Sequence, residues 1–276
     1  MKLQILIPYF APVLSERMQR NMELTSKYLR TFHSDVMVLY APNAFGPDDH
    51  AIWQKERLIN HAVAQLPGEV DTVAWIDGDI MFSNPYWLET AERMLKNAVA
   101  VQLFSQFWRG NHLGEMSQSS CFRGAVSLWK EGLPIVSPGG AWIARRELFT
   151  QGGGLYDCDI VGGGDSTAFH AWTGMRWKRS IPAGLSRSIE EWSHVASGFV
   201  RGRISHVPGS AIHLWHGDRE NRQYNERYQI LLRHDFDPQR HLTIGSRGAW
   251  QWSEAAPMGL RRDILAYFEG RKTDSG

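Results

Sequence analysis

The chain has 276 residues, of which 43% are hydrophobic and 21% charged, a composition that supports a sizeable core and excludes global disorder. The formal net charge of +1 argues against strong nonspecific binding of polyanions. From residue 171 onward basic side chains outnumber acidic ones, which favours an anionic ligand near that part of the chain.

Strand and helix patterns alternate along the first part of the chain. Buried strands are predicted at 3–7, 35–40, 72–76 and 98–104, with amphipathic helices at 15–29, 52–65 and 87–97 between them. This alternation is typical of a parallel sheet flanked by helices, in which ligands bind outside the carboxyl ends of the strands. The sequence therefore predicts an α/β, Rossmann-like fold with a mostly parallel central sheet.

The second part of the chain is less regular. A long polar loop is predicted at 106–126, short strands at 139–144 and 211–215, and helices at 166–173, 221–232 and 260–268. Asp165 stands where the N-cap of the helix at 166–173 is expected. No internal repeat or domain linker interrupts the pattern, so a single domain over 1–276 is predicted.

The cysteines and the apolar runs indicate a compartment. Cys121 and Cys158 are too few for a disulfide framework and match no zinc spacing, so a reducing compartment is expected. The apolar run at 1–10 is too short for a membrane span and lacks a cleavage site, and no later run is longer. The protein is predicted to be cytoplasmic, with no membrane span.

Two carboxylates, Asp77 and Asp79, flank Gly78 at the end of the third predicted strand. Carboxylate oxygens suit Mg²⁺ or Mn²⁺, and such an ion can stabilise a diphosphate leaving group as a Lewis acid. A plain acidic surface turn is the alternative, because such turns commonly follow strands. The position after a third parallel strand favours the metal site.

Two histidines, His213 and His216, lie at the end of a later predicted strand. An imidazole is an acceptable third ligand for Mn²⁺, although one histidine could instead cap the strand while the other packs. Arg219 and Arg222 follow closely and could hold phosphate in bidentate fashion, or could be solvated charges at a helix start.

Three glycines, 162–164, precede Asp165. Glycine lets the backbone approach a ligand closely, so Asp165 could act as a general base or clamp an acceptor hydroxyl. Its alternative role is that of an N-cap, and one residue can fill both roles.

The helix before the acidic strand offers further polar side chains. Lys55 or Arg57 could reach a phosphate and Asn60 a nucleobase, although a solvated helical face explains each of them singly. Tyr9, directly after the first strand, could stack on a base or belong to the core.

Taken together, the ordered motifs resemble those of the GT-A fold glycosyltransferases, the nucleotide-diphospho-sugar transferase superfamily, in a family 2-like form. The resemblance extends from the first strand to about residue 220. It rests on Pro8-Tyr9, Asp77-Gly78-Asp79, Gly139-Gly140-Ala141-Trp142, Gly162-Gly163-Gly164-Asp165 and His213-Leu214-Trp215-His216.

The resemblance implies a role for each of these positions. It implies that Asp79 is the firmest metal ligand, that Asp77 contacts ribose or metal, and that a late histidine is the third ligand. His213 followed by Arg219 looks like the element that binds metal and diphosphate in some members, with His216 as the rival ligand. Asp165 looks like the acid that serves as base in inverting members.

The resemblance also implies a division of the chain and a set of ligands. Residues 1–105 would bind the nucleotide-sugar, 106–217 the acceptor and metal, and 218–276 would form a C-terminal helical extension. A UDP-sugar with Mn²⁺ or Mg²⁺ is the expected donor complex. A glycan, a small molecule or a hydroxymethylated DNA base is the expected acceptor.

Two other classes of protein remain open from the sequence. Phosphatases of the haloacid dehalogenase type also carry two aspartates after a strand, but on the first strand of the core rather than the third. A nucleotide- or nucleic-acid-binding module without turnover would keep the same fold. The transferase predicts loss of the donor sugar, the phosphatase predicts release of phosphate, and the binding module predicts neither.

Overall fold

The protein is described from a computed structural model that covers residues 1–9, 15–40, 51–176, 179–218, 220–224 and 226–271. The strands, in chain order, are β1 (Leu3–Tyr9), β2 (Val36–Tyr40), β3 (Thr72–Ile76), β4 (Ile80–Phe82), β5 (Ala100–Gln102), β6 (Gln106–Arg109), β7 (Cys121–Arg123), β8 (Ala141–Arg145), β9 (Ile204–His206), β10 (Ser210–His213), β11 (Leu242–Ile244) and β12 (Trp250–Trp252).

The helices surround these strands. In chain order they are α1 (Glu16–Leu29), α2 (Lys55–Gln65), α3 (Trp87–Met94), α4 (Ala125–Lys130), α5 (Glu147–Thr150), α6 (Gly164–Thr173), α7 (Ala183–Val200), α8 (Arg227–Arg233), α9 (Pro238–His241) and α10 (Met258–Glu269), with 3₁₀ turns at Gln118–Ser120 and Glu220–Arg222. Among the described residues, no helix combines the length and the apolar character needed to cross a membrane.

The central sheet has six strands in the order β2-β1-β3-β8-β5-β9. β1 pairs in parallel with β2 and β3, and β5 pairs in parallel with β9, whereas β8 is antiparallel to both of its neighbours. The predicted α/β fold with a mostly parallel, helix-flanked sheet is therefore confirmed. The division of the chain at 105 and 217 stays a prediction.

Helices cover both faces of the central sheet, so both faces of β3 are buried. Val73 and Trp75 belong to the core layer that includes α2, α6 and α7, whereas Ala74 and Ile76 belong to the layer that includes α1 and α3. Successive side chains of a strand project to opposite faces, so a strand covered on both sides is a continuous apolar run. All five residues of β3 are buried, and Asp77 follows at its carboxyl end.

A second sheet, in the order β4-β10-β6-β7, brings distant parts of the chain together. β4 follows the acidic turn directly, and β10 pairs with it antiparallel, with His213 opposite Ile80. The backbone N–H of Leu214 donates to the carbonyl of Asp79 at 2.8 Å. This pairing places the end of β10 beside the carboxyl end of β3.

Three local predictions were wrong. The segment predicted as a loop at 106–126 contains β6 and β7 and begins α4, because its apolar residues pair with β10. The N-cap of α6 is Gly163, not Asp165, since positive φ angles at Gly162 and Gly163 start the helix earlier. The strand predicted at 211–215 ends at His213, and the 18-residue helix α7 was not predicted.

Candidate active site

Asp79, His213 and His216 form one cluster at the carboxyl end of β3. Asp79 lies in the turn between β3 and β4, His213 ends β10, and His216 follows three residues later. Asp79 Oδ2 is 2.9 Å from His216 Nε2 and 3.5 Å from His213 Nε2. Within the described residues these are the three side chains whose ligand atoms gather as a possible metal site, all within 4.8 Å of one another.

The cluster fits a divalent metal ion. Asp79 Oδ1 is buried and has no hydrogen-bond partner among the described residues, so one carboxylate oxygen is left for another ligand. Burial and the charge of Arg222 lower the pKa of His216 to about 3, and burial also lowers the pKa of His213. Both imidazoles are therefore neutral, the form that binds metals.

The carboxylate of Asp79 is ionised in this setting. Burial alone would raise its pKa, but the hydrogen bond from His216 and the nearby charge of Arg222 hold the pKa below its usual range. One carboxylate and two imidazoles are a ligand set that Mn²⁺ accepts, with positions left for phosphate oxygens.

Arg222 is a cationic side chain next to this cluster. Its Nη2 donates to the carbonyl oxygen of His216 at 3.1 Å and also contacts the imidazole ring. The 3₁₀ turn that ends at Arg222 returns the chain toward His216, six residues earlier. Arg219, the residue predicted for diphosphate binding, lies outside the described residues, and Arg222 occupies a suitable position.

A second cluster joins Lys55, Asp77 and Asp165. Lys55 Nζ is 2.7 Å from Asp77 Oδ1 and 2.9 Å from Asp165 Oδ2, and the lysine side chain is only 7% exposed. Burial would lower the pKa of Lys55, but the surrounding carboxylates raise it instead. Burial raises the pKa of Asp77 to about 7, against the attraction of Lys55 and with the repulsion of Asp165 and Asp79.

Neighbouring residues hold Lys55 and Asp165 in place within the lysine cluster. Gln54, the N-cap residue of α2, exchanges hydrogen bonds of 2.8 and 3.0 Å with the backbone of Trp250, which holds the start of the helix that carries Lys55. A methyl group on Gly139 would lie 2.4 Å from Asp165 Oδ2, so this position has room only for glycine. The N–H of Asp77 donates to the carbonyl of Gly140 at 2.8 Å, which ties the same glycine turn to the acidic motif.

Glu56 is a site residue that the sequence did not reveal. Its side chain is 2% exposed, accepts from Trp53 Nε1 at 2.8 Å, and lies against Gly164 at the start of α6. Burial first, and then the charge of Asp165, raise the pKa of Glu56 to about 8. Nothing in a lone glutamate on a polar helical face distinguishes it in sequence, because its burial depends on the distant glycine turn.

The structure brings together Lys55, Asp77 and Asp165, and separately Asp79, His213 and His216, but it places the other predicted residues elsewhere. Asn60 donates to the carbonyl of Leu155 at 2.8 Å and to Asp157 at 3.1 Å, so it braces a loop. Tyr9 is buried at the end of β1 and packs edge-to-face on Tyr40. Their nucleotide-binding roles stay predictions.

No family model and no curated protein matches this chain. Solved structures that resemble it include the catalytic domain of Drosophila beta1,4galactosyltransferase 7 complexed with xylobiose, at 12% identity and a TM-score of 0.45, over 95% of this chain and 98% of that chain. A mutant of that enzyme with manganese, UDP-Gal and xylobiose matches at 14% identity and a TM-score of 0.40, over 61% of this chain and 60% of that chain. In this second match the chain spans less than two thirds of the other protein.

A third similar structure is glucosyl-3-phosphoglycerate synthase from Mycobacterium tuberculosis with Mn²⁺, UDP-Glc and phosphoglyceric acid. It matches at 14% identity and a TM-score of 0.37, over 93% of this chain and 90% of that chain. The predicted resemblance to GT-A glycosyltransferases is thus confirmed as a resemblance. Similarity of this degree assigns no activity, which has to be argued from the residues themselves.

Proposed function

We propose that this protein is a metal-dependent glycosyltransferase that moves a sugar from a nucleotide-sugar donor to a hydroxyl acceptor. One observation carries the proposal. The buried carboxylate of Asp79 keeps an unpartnered oxygen beside two neutral imidazoles, at the carboxyl end of a strand in a mostly parallel sheet. Ligands of α/β sheets bind at that edge, and the neighbouring Lys55 cluster supplies acid–base groups there.

The donor side of the reaction needs the leaving diphosphate to be stabilised. Asp79, His213 and His216 would hold a divalent ion, which supplies Lewis-acid stabilisation of the diphosphate when bound. Arg222, positioned by His216, would donate to a phosphate oxygen from the adjacent side. Asp77, at the end of β3, would contact the ribose or the metal through the carboxylate oxygen that Lys55 leaves free.

The acceptor side needs a base for the attacking hydroxyl. Asp165 lies in the first turn of α6, and its carboxylate is oriented by Lys55 at 2.9 Å. It would take the hydroxyl proton as the oxygen attacks the anomeric carbon, which gives an inverting transfer. The missing side chain of Gly139 leaves the space in which Asp165 sits, so the base is held by packing and by charge.

The donor and acceptor classes follow from the resemblance of the sequence motifs. The sequence motifs resemble those of transferases that most often use UDP-sugars, so a UDP-sugar with Mn²⁺ or Mg²⁺ is the proposed donor complex. A glycan, a small molecule or a hydroxymethylated DNA base is the proposed range of acceptors.

The test is hydrolysis of a panel of UDP-, GDP- and CMP-sugars with Mn²⁺, with and without a chelator, measured as free nucleotide. We expect release from one donor, loss of that release with chelator, and loss in Asp79→Asn but not in Asp35→Asn, an exposed carboxylate distant in sequence. Phosphate release from a simple phosphate ester without nucleotide-sugar would support the phosphatase instead. Donor binding without any sugar loss, even with a full set of acceptors, would support the binding module.

A further inference from the structure

A group of arginines lies on the far side of the glycine turn that begins α6. The site that a methyl group would take on Gly162 is 3.3 Å from Arg227 Nη1 and 3.4 Å from the ring of Trp53. The guanidinium of Arg271 stacks over that same Trp53 ring, with its Cζ 5.1 Å from the ring centroid. Arg227 and Arg271 therefore flank one short stretch of backbone, three residues before Asp165.

Two guanidinium nitrogens of this group are buried without a hydrogen-bond partner among the described residues. Arg271 is 8% exposed, and Nε of Arg271 and Nε of Arg227 have no hydrogen-bond partner among the described residues. Burial, followed by the charges of Arg222 and Arg227, lowers the pKa of Arg271 to about 9, which reflects how close the three cations are. A buried guanidinium nitrogen without a hydrogen-bond partner is costly, so these two nitrogens favour an anion that arrives from outside.

The neighbouring aromatic groups fix these arginines rather than neutralise them. Arg227 Nη2 donates to the hydroxyl of Tyr228 at 3.2 Å, and that hydroxyl donates to the carbonyl of Gly162 at 2.8 Å. Asp159, the buried carboxylate nearby, already pairs with Arg179 at 3.4 Å and accepts from Thr167. Asp159 therefore forms its described ion pair with Arg179 rather than with Arg227. Burial raises the pKa of Asp159, and the charges of Arg179 and Arg227 both oppose that rise.

The formal charges distinguish the arginine site from the donor-binding site. Asp79 and the doubly charged diphosphate of a nucleotide-sugar around a divalent ion leave one negative charge, and Arg222 beside His216 balances it. Arg227 and Arg271 then keep two positive charges in excess. A phosphate monoester carries a charge of about −1.5 to −2 at neutral pH and matches that excess.

On this basis, and resting on the proposed function, we propose that Arg227 and Arg271 bind a phosphate group of the acceptor, which makes the acceptor a small phosphorylated hydroxyl compound. The size follows from the chain, because Gly162 and Asp165 are three residues apart and so at most on the order of 10 Å. Arg271 is only 8% exposed, which disfavours a nucleic-acid backbone that would have to run across the site.

The experiment is calorimetric titration of inorganic phosphate into the full chain with the donor site already filled by saturating UDP and Mg²⁺. We expect phosphate to bind, and its affinity to fall about 10- to 100-fold in Arg271→Gln and in Arg227→Gln, the loss expected for a charge-assisted contact. Arg262→Gln, an 82% exposed arginine on α10, is the matched control and should leave the affinity unchanged. UDP affinity should stay unchanged in all three variants.

Thermal unfolding distinguishes a loss of phosphate binding from a loss of stability in a variant. Without phosphate, Arg271→Gln should unfold at the same temperature as the wild type or higher, because a buried unpaired charge is gone. Phosphate should raise the unfolding temperature of the wild type and not of the variant. A variant that unfolds at a lower temperature and still gains from phosphate would contradict the proposal.

Three other results would overturn the proposal. Competition between phosphate and UDP would assign the arginines to the donor diphosphate, and phosphate binding that survives both substitutions would assign it elsewhere. Loss of affinity for a DNA duplex in Arg271→Gln, without phosphate binding by the wild type, would indicate a nucleic-acid acceptor. If UDP and Mg²⁺ did not bind at all, that result would count against the proposed glycosyl transfer instead. Titration of phosphate without UDP would then test the arginine site alone.

Discussion

The substitution Asp79→Asn tests the metal site most directly. Among the described residues, Asp79 is the one ligand of the three that carries a formal charge, since both histidines are neutral. Asparagine keeps the shape of the side chain and removes that charge. We therefore expect the fold to persist while the affinity for Mn²⁺ is lost.

The expected changes in unfolding temperature and turnover follow from the role of Asp79 as a metal ligand. An ion present at a hundred times its dissociation constant stabilises a protein by about 2.7 kcal/mol. In a chain of this size that corresponds to a rise of about 5–10 °C in the unfolding temperature. If the Lewis-acid contribution to the transition state is about 3–5 kcal/mol, the variant should turn over roughly 10²- to 10⁴-fold more slowly.

The assay is thermal unfolding with and without Mn²⁺ and UDP, followed by donor hydrolysis under the same conditions. Wild type and Asp35→Asn should show the metal-dependent rise, and Asp79→Asn should not. Without metal, Asp79→Asn should unfold at a somewhat lower temperature than the wild type, because the folded protein favours the ionised carboxylate. The comparison is therefore of the metal-dependent rise within each protein. An undiminished metal-dependent rise in Asp79→Asn would refute the assignment.

Three further predictions concern the surroundings of the site. Gly139→Ala places a methyl group 2.4 Å from Asp165 Oδ2 and should lower turnover about 10- to 100-fold with unchanged UDP affinity, whereas Gly68→Ala, with no atom within 4 Å, should change neither. The pKa of Glu56 rises from 4.5 to about 8, so between these pH values the folded protein keeps a proton that the unfolded chain loses. The free energy of unfolding should therefore fall as the pH rises through that interval, by up to roughly 1.4 kcal/mol per pH unit. Glu56→Gln should flatten that decrease in urea unfolding measured at pH 5 and pH 8, and an unchanged slope would contradict the pKa. Arg222→Gln should weaken UDP binding in the presence of Mn²⁺ by about tenfold or more, measured by calorimetry, and an unchanged affinity would remove Arg222 from the diphosphate site.

The parallel half of the fold could be predicted because its signals are local. β1, β2 and β3 are short apolar runs bounded by turn residues. Burial on both faces produces such runs in β1 and β3, whereas β2 lies at the edge of the sheet and leaves Met37 and Tyr40 exposed. The helix α7 had an equally local signal, with Leu185, Ile189, Trp192, Ala196 and Val200 at spacings of three and four. It was missed although the pattern was present.

The pairing within the site could not be predicted, because it depends on contacts between segments far apart in sequence. β10 lies between β4 and β6, and that register decides which side chains face Asp79. A strand moved by one residue would turn His213 to the opposite face of its sheet. The sequence could therefore name both histidines as candidate ligands without excluding either, and the structure brings both to the same carboxylate.

The two unsatisfied groups in this region have opposite charge, and each implies its own ligand. Asp79 keeps a buried carboxylate oxygen without a partner, and Arg271 keeps a buried guanidinium nitrogen without one. If the two groups neutralised each other they would be in contact, yet the described close contacts of the Asp79 carboxylate are with the neutral side chains of His213 and His216. On the proposed assignment, keeping them apart would cost stability in the free protein and provide separate sites for a cation and an anion. That separation is what a transfer between two charged substrates requires.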